Sequence, residues 1–397
     1  MQGGPSEREE YVFLPNARTV RSTRSTPSAN FCSSISSLRW RRAPLILCTL
    51  GKPGERPCRR GSAISTSARA GRAPRITDVA ALAGVSAGTA SKALNGTGSL
   101  RAETRERVRD AARQLGFTPD ARGRSLSSGR SYTVGLVTTD SSGRFSIPVM
   151  TGAEDALSAG ELMLLLCDTR DDPLRERHYL TTLSARRVDG LIVTGRRTEP
   201  REPVRSDVPV VYAFNPSTDP EDTSVVVDDH GGAVEAVRHL LGLGRQRIVH
   251  VTGPARHLSA TERAAGAREA AGAQLVLEPL FGEWSERWGR QAVELALRQV
   301  PDLDAVVCGS DQIARGVCDR LRELGRHVPD DVAVTGFDNW AVMAEASRPP
   351  LTTVDLRLTD LGRRAAQLLI EAIDGRRQPG VQRLPTRLVL RESTLGV

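Results

Sequence analysis

The chain has 397 residues, 39% of them apolar and 26% charged, enough to bury a core and to build about two to three domains. No run approaches the ~18 apolar residues of a membrane helix. The six cysteines (Cys32, Cys48, Cys58, Cys167, Cys308 and Cys318) form no CxxC pair and no zinc-ligand spacing, so neither a membrane span nor a metal site is expected. The net charge of +8 is uneven: residues 1–72 hold 13 Lys/Arg and 4 Glu, residues 73–131 hold 10 Lys/Arg and 5 Asp/Glu, and the remainder is −6. A basic end before an acidic bulk points to a polyanion met through one end only.

Residues 1–72 show no sustained helical or strand period and read as a disordered tail, or as sequence upstream of the true start. Ala43 to Leu50, behind Arg41 and Arg42, has the composition of a signal core but is short and begins about 40 residues in. Cys48 after Leu47 resembles a lipoprotein site, with the same objection. Cys167, Cys308 and Cys318 sit in apolar runs and read as small core residues of a reducing, cytoplasmic protein.

From Ile76 the pattern tightens. Thr77 is an expected N-cap, and Val79, Ala80 and Ala83 fall at helical spacing. Gly84 supplies a turn, Ser86 caps a second helix over Ala87–Leu94, and Asn95-Gly96 ends it. A third helix fits Glu103–Leu115, closed by Gly116 and blocked by Pro119. Three short helices with a tight glycine turn between the first two make a helix-turn-helix domain over 73–119.

Residues 120–131 read as a short basic linker. Beyond Tyr132 strands and helices alternate. The expected strands are Thr133–Thr138, Leu162–Cys167, Gly190–Val193, Val208–Tyr212, Ser224–Val227, Ile248–Thr252, Ala305–Cys308 and Val332–Thr335. Helices are expected over 148–159, 173–186, 231–243, 260–271, 286–299, 311–324 and 358–374. Repeated βα units predict an α/β fold of parallel, doubly wound sheets. About 265 residues exceed one such core, so two similar lobes are expected.

The run from Ile76 to Asn95 (ITDVAALAGVSAGTASKALN), followed by Thr104–Val108, resembles the headpiece of lactose-repressor (LacI/GalR) family regulators. The resemblance continues through Pro119 to Leu126, then Arg187–Gly190, Pro329–Val332, Gly336–Asp338, Pro349–Thr353 and Arg391–Thr394. It covers about 75–397 and leaves 1–72 without counterpart. It implies a homodimer on double-stranded palindromic operator DNA, with a hinge helix over 120–131. It also implies a periplasmic-binding-protein-like domain over 132–397 that closes on a small sugar-like effector, with no cofactor. The expected lobes are roughly 132–227 plus 357–385, and 228–354 plus 386–397. A dimer clamped on an operator blocks polymerase without further parts, so repression is the expected mode. Because the sequence stops just after Thr394, with no leucine heptad, a dimer rather than a tetramer is expected.

The resemblance places base-reading positions at Ala87, Gly88 and Lys92, since such a helix enters the major groove N-terminus first. Lys92 can donate to guanine O6 and N7. Ser86, Thr89, Ser91 and Asn95 suit phosphate oxygens. In the hinge, Arg124 is an expected DNA contact, and Leu126 matches the leucine that relatives wedge between base pairs. Gly123 stands where relatives usually carry Ala, which costs about 1 kcal/mol of helix propensity. Ala90 and Ala93 replace larger aliphatics, and Arg101 replaces a capping Ser. For the effector, family matching gives Asp140, Phe145, Arg263, Trp284, Ser310 and Asp338: an aromatic face for a sugar ring and polar groups for its hydroxyls. Ser310 stands where many relatives have Asn, and Gly143-Arg144 replaces a frequent Asn-Pro. Closure of the lobes would displace the hinges, which favours an inducing effector over the alternative, a corepressor.

Two other classes share single features with this sequence. Gly84–Gly88 fits the G-x-S-x-G nucleophile elbow, but that motif needs a strand before its serine, and an Ala-rich helical pattern precedes it here. A secreted sugar receptor would share the lobes but carry no headpiece. The chain is therefore not expected to be an enzyme.

Overall fold

The computed structural model describes residues 73–96, 98–118 and 129–396. The first part is three helices: α1 (Ile76–Ala83), α2 (Ala87–Leu94) and α3 (Ala102–Leu115). Their core is small-residue packing, with Val79, Val108 and the alanines at 80, 83, 90, 93, 111 and 112 all buried. Gly84 takes the left-handed conformation (φ 65°) that lets α1 stop and the chain turn into α2. The first N-cap is Arg75, not Thr77. The helix begins two residues earlier because the Asp78 carboxylate accepts the Arg75 N–H at 2.7 Å, closing the first turn from inside. As predicted, Ser86 caps α2, its Oγ accepting the Thr89 N–H at 3.1 Å. Arg101 precedes α3 without any side-chain cap.

The remainder alternates strand and helix, as the sequence pattern predicts. In order come β1 (Thr133–Thr138), α4 (Ser146–Ser158), β2 (Met163–Asp168), α5 (Pro173–Ala185), β3 (Gly190–Thr194), β4 (Val210–Ala213) and β5 (Thr223–Val227). The chain then crosses to α6 (Asp229–Gly242), β6 (Ile248–Thr252), α7 (Leu258–Ala271), β7 (Leu280–Phe281), α8 (Glu286–Gln299), β8 (Ala305–Cys308) and α9 (Asp311–Glu323). There follow β9 (Ala333–Asp338), α10 (Ala341–Ala344), β10 (Thr352–Asp355), α11 (Leu358–Ile373), β11 (Gly380–Leu384), β12 (Arg387–Val389) and α12 (Glu392–Leu395).

These strands form two six-stranded sheets, ordered β11-β5-β4-β3-β1-β2 and β12-β10-β9-β8-β6-β7. All pairings are parallel except β10 with β12. The chain therefore passes between lobes three times: after β5, after β10 and after β11. One buried cluster runs from the α4–α11 side of the first sheet to the α6–α7 side of the second, and α8 and α9 cover the other face of the second sheet. Helices pair by close backbone approach. A Cβ on Gly152 would lie 1.8 Å from the Thr359 carbonyl oxygen, and one on Gly362 would lie 1.9 Å from that of Val149, so α4 and α11 cross glycine on glycine. Cys308 and Cys318 are buried in the second lobe, and Cys167 is half-buried on β2.

Strands β7, β10, β11 and β12 carry no clear sequence signal. Two are only two and three residues long, β10 follows Pro349-Pro350, and β11 alternates half-buried and exposed residues at a sheet edge. No helix among the described residues is long and apolar enough to cross a membrane, and no cluster of His, Cys, Asp and Glu there could hold a metal ion.

Candidate DNA-reading surface and effector cleft

On the headpiece, Ser86, Ala87, Gly88, Lys92 and Asn95 are exposed along one side of α2, with Thr89 and Ser91 half-buried. The Lys92 stem lies along the backbone of Gly98, close enough that a Cβ there would sit 3.3 Å from its Cδ. The Asn95 side-chain amide donates to Ser91 Oγ at 3.3 Å, and Ser86 and Thr89 hydroxyls lie 2.9 Å apart. Arg107, which sequence reasoning passed over, donates from Nε to the Ala83 carbonyl at 3.0 Å and ties α3 to the end of α1. Arg124 and Leu126, with the hinge around them, lie outside the described residues.

In the large domain, the loops at the carboxyl ends of the parallel strands face one another, where open α/β sheets ordinarily bind ligands. Between them is a cavity of about 350 Å³. All six predicted effector residues line it: Asp140 and Phe145 from the first lobe, Arg263, Trp284, Ser310 and Asp338 from the second. Phe145 stacks on Phe214, with ring centroids 5.1 Å apart. Trp284 covers Gly253, where a Cβ would fall 2.1 Å from the indole. Its Nε1 donates to His257 Nδ1 at 2.7 Å, a bond that requires an unprotonated Nδ1. Burial holds the His257 pKa below its usual value, with Arg256 and Arg197 adding to the effect.

The polar members are already engaged with the protein. Asp140 Oδ2 accepts the N–H groups of Phe145 (2.7 Å) and Ser146 (2.9 Å), and Oδ1 accepts the Ser142 hydroxyl. Burial alone would raise its pKa; these donors hold it below the ordinary value. Asp140 thus closes the N-terminus of α4. Ser310 Oγ accepts the Ile313 N–H and caps α9.

Arg263 is buried and pairs with Asp229, which sequence reasoning did not single out. Its Nε and second guanidinium nitrogen reach Asp229 Oδ1 at 2.8 and 2.7 Å. It also donates to the Gly309 carbonyl, stands 3.5 Å from Asp338 and lies over the Phe337 ring at 3.8 Å. Burial pushes the Asp229 pKa up to about 6, with the Arg263 charge pulling the other way. The signal available in the sequence was a second aspartate beginning α6, directly after Asp228, which is the actual cap of that helix.

Asp338 sits at φ 104° and Asn339 at φ 50°, a left-handed pair at the end of β9 that turns the carboxylate into the cleft. It accepts from Arg144, which comes from the opposite lobe. Arg144 also donates to Gln312 at 3.0 Å and stacks over Trp340 at 4.4 Å. Two further contacts cross between lobes: Glu199 Oε1 accepts the Leu258 N–H at 2.9 Å, and Arg383 lies 3.6 Å from Glu262. Behind this, Asp311 accepts from the Trp340 N–H and the Thr353 hydroxyl. Burial, with Asp338 close by, pushes its pKa up to about 7.

Residues 75–120 match the family described as bacterial regulatory proteins, lacI family, and residues 237–394 match a periplasmic binding protein-like domain. The HTH-type transcriptional regulator CelR of Thermobifida fusca is 34% identical over 337 residues, covering 81% of this chain and 98% of that protein. This chain belongs to the LacI family. The ribose operon repressor of Halalkalibacterium halodurans is 32% identical over 323 residues, covering 81% of this chain and 97% of that one. Among solved structures, the lac repressor dimer bound to operator and the anti-inducer ONPF matches with a TM-score of 0.66 at 26% identity, covering 82% of this chain and 100% of that one. A CelR–cellobiose complex matches at 0.55 and 31%, covering 81% and 99%. This LacI-family member is thus a DNA-binding transcriptional regulator with the two-lobed effector domain of its relatives.

Proposed function

We propose that this regulator represses its target genes as a homodimer on a palindromic operator and releases it when a small carbohydrate-like effector closes the cleft. The observation that carries the effector half is the convergence of Phe145 from one lobe with Arg263, Trp284 and Asp338 from the other on a single cavity of about 350 Å³. A ligand touching both sets favours one lobe arrangement, which is what an effector must do to shift an equilibrium. Ser86, Ala87, Gly88, Thr89, Ser91, Lys92 and Asn95 meet the major groove, and Arg124 and Leu126 the minor groove.

The second copy covers the open edge of the first sheet. There β2 leaves Met163 and Leu166 64% and 48% exposed, and Ile147 on neighbouring α4 is 53% exposed. An uncovered edge strand with apolar side chains favours pairing with another surface.

The test is to select an operator from randomised DNA with the full chain and titrate the complex with carbohydrates. Trp284→Ala is expected to hold the operator and fail to release it. A variant that released the operator like wild type would remove Trp284 from the site, and a ligand that tightened DNA binding would reverse the sign of the switch.

A further inference from the structure

The balance of donors and acceptors around the cavity bears on the ligand's charge. Three carboxylates line it, and all three are engaged. Asp140 accepts three hydrogen bonds from its own loop, Asp338 accepts from Arg144 and Arg263, and Glu199 Oε1 accepts from the start of α7. Against them stand five guanidinium groups, from Arg144, Arg196, Arg197, Arg256 and Arg263.

Arg263 is satisfied by Asp229 and the Gly309 carbonyl. The others are not saturated. Arg196 and Arg197 share one carboxylate outside the cavity, Asp171, at 3.5 and 3.9 Å. Arg256 makes no ion pair among the described residues. Arg144 Nε is buried without an acceptor.

Three helices, α4, α7 and α9, also begin at this cavity, capped by Asp140, Glu199 and Ser310. The carboxylates offset the first two ends, and the third, capped by a neutral hydroxyl, adds positive potential to that of the arginines. Among the fully buried side-chain atoms of the lining, the acceptors left without a donor are two: Glu199 Oε2 and the hydroxyl of Thr198, the latter more than nine-tenths buried. A neutral sugar brings hydroxyls that must donate about as often as they accept, and would leave most of these N–H groups unmatched. A ligand rich in acceptors and negatively charged would match them.

We propose that the cleft takes an anionic carbohydrate, a sugar acid or a sugar phosphate. Arg256, Arg196 and Arg197 hold the anion, Trp284 and Phe145 flank the ring, and Thr198 and Glu199 Oε2 receive hydroxyls. The proposal rests on the effector reading above and specifies the ligand class of that site.

Two probes test it on the full chain, read by tryptophan fluorescence, since Trp284 and Trp340 flank the arginines. The first is inorganic phosphate at constant ionic strength, which has no stereochemistry to get wrong. It should give a saturable change in wild type that Arg256→Gln loses. The second is a matched series: glucose, galactose and mannose, each against its uronate and its 6-phosphate. In at least one series an anionic member should bind about tenfold or more tighter than its neutral parent, the worth of one charge-assisted hydrogen bond. The double variant Arg197→Gln, Arg256→Gln should bring that ratio to about one. Both side chains are exposed, and a thermal melt will verify that the variant folds as wild type does. Preference for uronate over phosphate, or the reverse, tells the two sources of charge apart. A non-saturating phosphate response, a neutral parent that binds as tightly as its anions, or an anionic preference that survives the double variant would each overturn the proposal. Operator binding by the same preparation separates the failures: its loss with anion selectivity intact counts against the regulator reading, and the converse against this inference alone.

Discussion

The headpiece and the cleft hold their predicted contact residues in opposite conditions. On α2 the side chains proposed to face DNA are exposed or half-buried and loosely tied, with only short serine, threonine and asparagine bonds among them. In the cleft the predicted contact residues Asp140 and Arg263 are buried and Asp338 is half-buried, and all three are bound to the protein's own groups. A surface that must slide on and off a polyanion gains from being formed but unsatisfied. A cleft that must choose between two lobe arrangements needs internal partners for its charges while no ligand is present, because a lone buried charge is too costly. Substitutions in the cleft should therefore alter stability and response together, and substitutions on α2 should alter binding with little change in stability.

The largest expected effect is that of Arg263→Ala. It leaves Asp229, 1% exposed, without its counter-charge. Breaking a buried pair from one side costs about 3–5 kcal/mol, so the urea midpoint should fall sharply. Replacing both partners, Arg263→Met with Asp229→Leu, should restore most of that stability while effector release stays lost. Arg263→Ala unfolding at the wild-type midpoint would show that the pair does not hold the second lobe, and the contrast with the headpiece would fail.

A pH dependence follows from His250, buried on β6 with Nδ1 at 3.0 Å from the Val307 carbonyl. Burial, aided by the charges of Arg263 and Arg268, lowers its pKa to about 4. Between the unfolded value of about 6.5 and about 4 the unfolded chain binds the proton and the folded chain does not, so stability rises with pH there and is lost as pH falls. The difference in unfolding free energy between wild type and His250→Leu should shrink by on the order of 3 kcal/mol from pH 6.5 to pH 4. Taking the difference matters, because the raised pKa values of Asp229 and Asp311 give a slope of the opposite sign from about pH 4 upward, and both proteins share it. A difference that stayed flat with pH would mean that His250 keeps an ordinary pKa in the fold.

The two regions were also unequally legible in the sequence. The alternation of apolar runs and helical stripes carries the two sheets, because parallel strands buried on both faces must be apolar throughout, as the fully buried β3, β4 and β5 are. Edge strands escape that rule: β11 and β12 are short, half-exposed and mixed in polarity, so no continuous apolar run separates them from loops. Positions of the cleft residues could be carried over one by one from a resemblance. Their partners could not. Asp229 stands 34 positions before Arg263, and Arg144 stands 194 before Asp338. The first pairing depends on how α6 packs against α7 and the second on how the two lobes meet, and no local pattern records either. In the sequence Arg144 stands out only as part of Gly143-Arg144; its reach across the cleft to Asp338 appears once the lobes are folded together.

On the headpiece, Lys92→Ala should leave the melting temperature within the scatter of wild type, since the ammonium forms no ion pair among the described residues and its neighbour Gly98 makes contact only with the stem. Base preference should relax at one symmetric pair of operator positions, at about 1–3 kcal/mol per contact. Selection of randomised half-sites with wild type and variant will read this. An unchanged sequence preference would mean that Lys92 is a solvated surface lysine and that α2 reads bases through its small residues alone.

Ser86 gives the smallest effect and the finest separation, because one hydroxyl is asked to do two things. Its Oγ accepts the Thr89 N–H at 3.1 Å and so starts α2, and the residue is exposed, free to meet the phosphate we propose for it. Ser86→Ala removes both roles and should cost about 1 kcal/mol of headpiece stability along with some operator affinity, which does not tell them apart. Ser86→Asp does. An aspartate caps a helix as well as a serine does, and its charge at the N-terminus adds about 0.3–1 kcal/mol of favourable dipole interaction, so the headpiece should melt no lower than wild type. The same charge repels a phosphate, so operator affinity should fall even though the fold is intact, and it should fall less at high salt, where the repulsion is screened. Thermal melting and operator titration at two salt concentrations would follow both quantities. Wild-type affinity in Ser86→Asp would place no phosphate beside the cap, and α2 would then have to meet the groove at a different angle from the one its exposed face suggests.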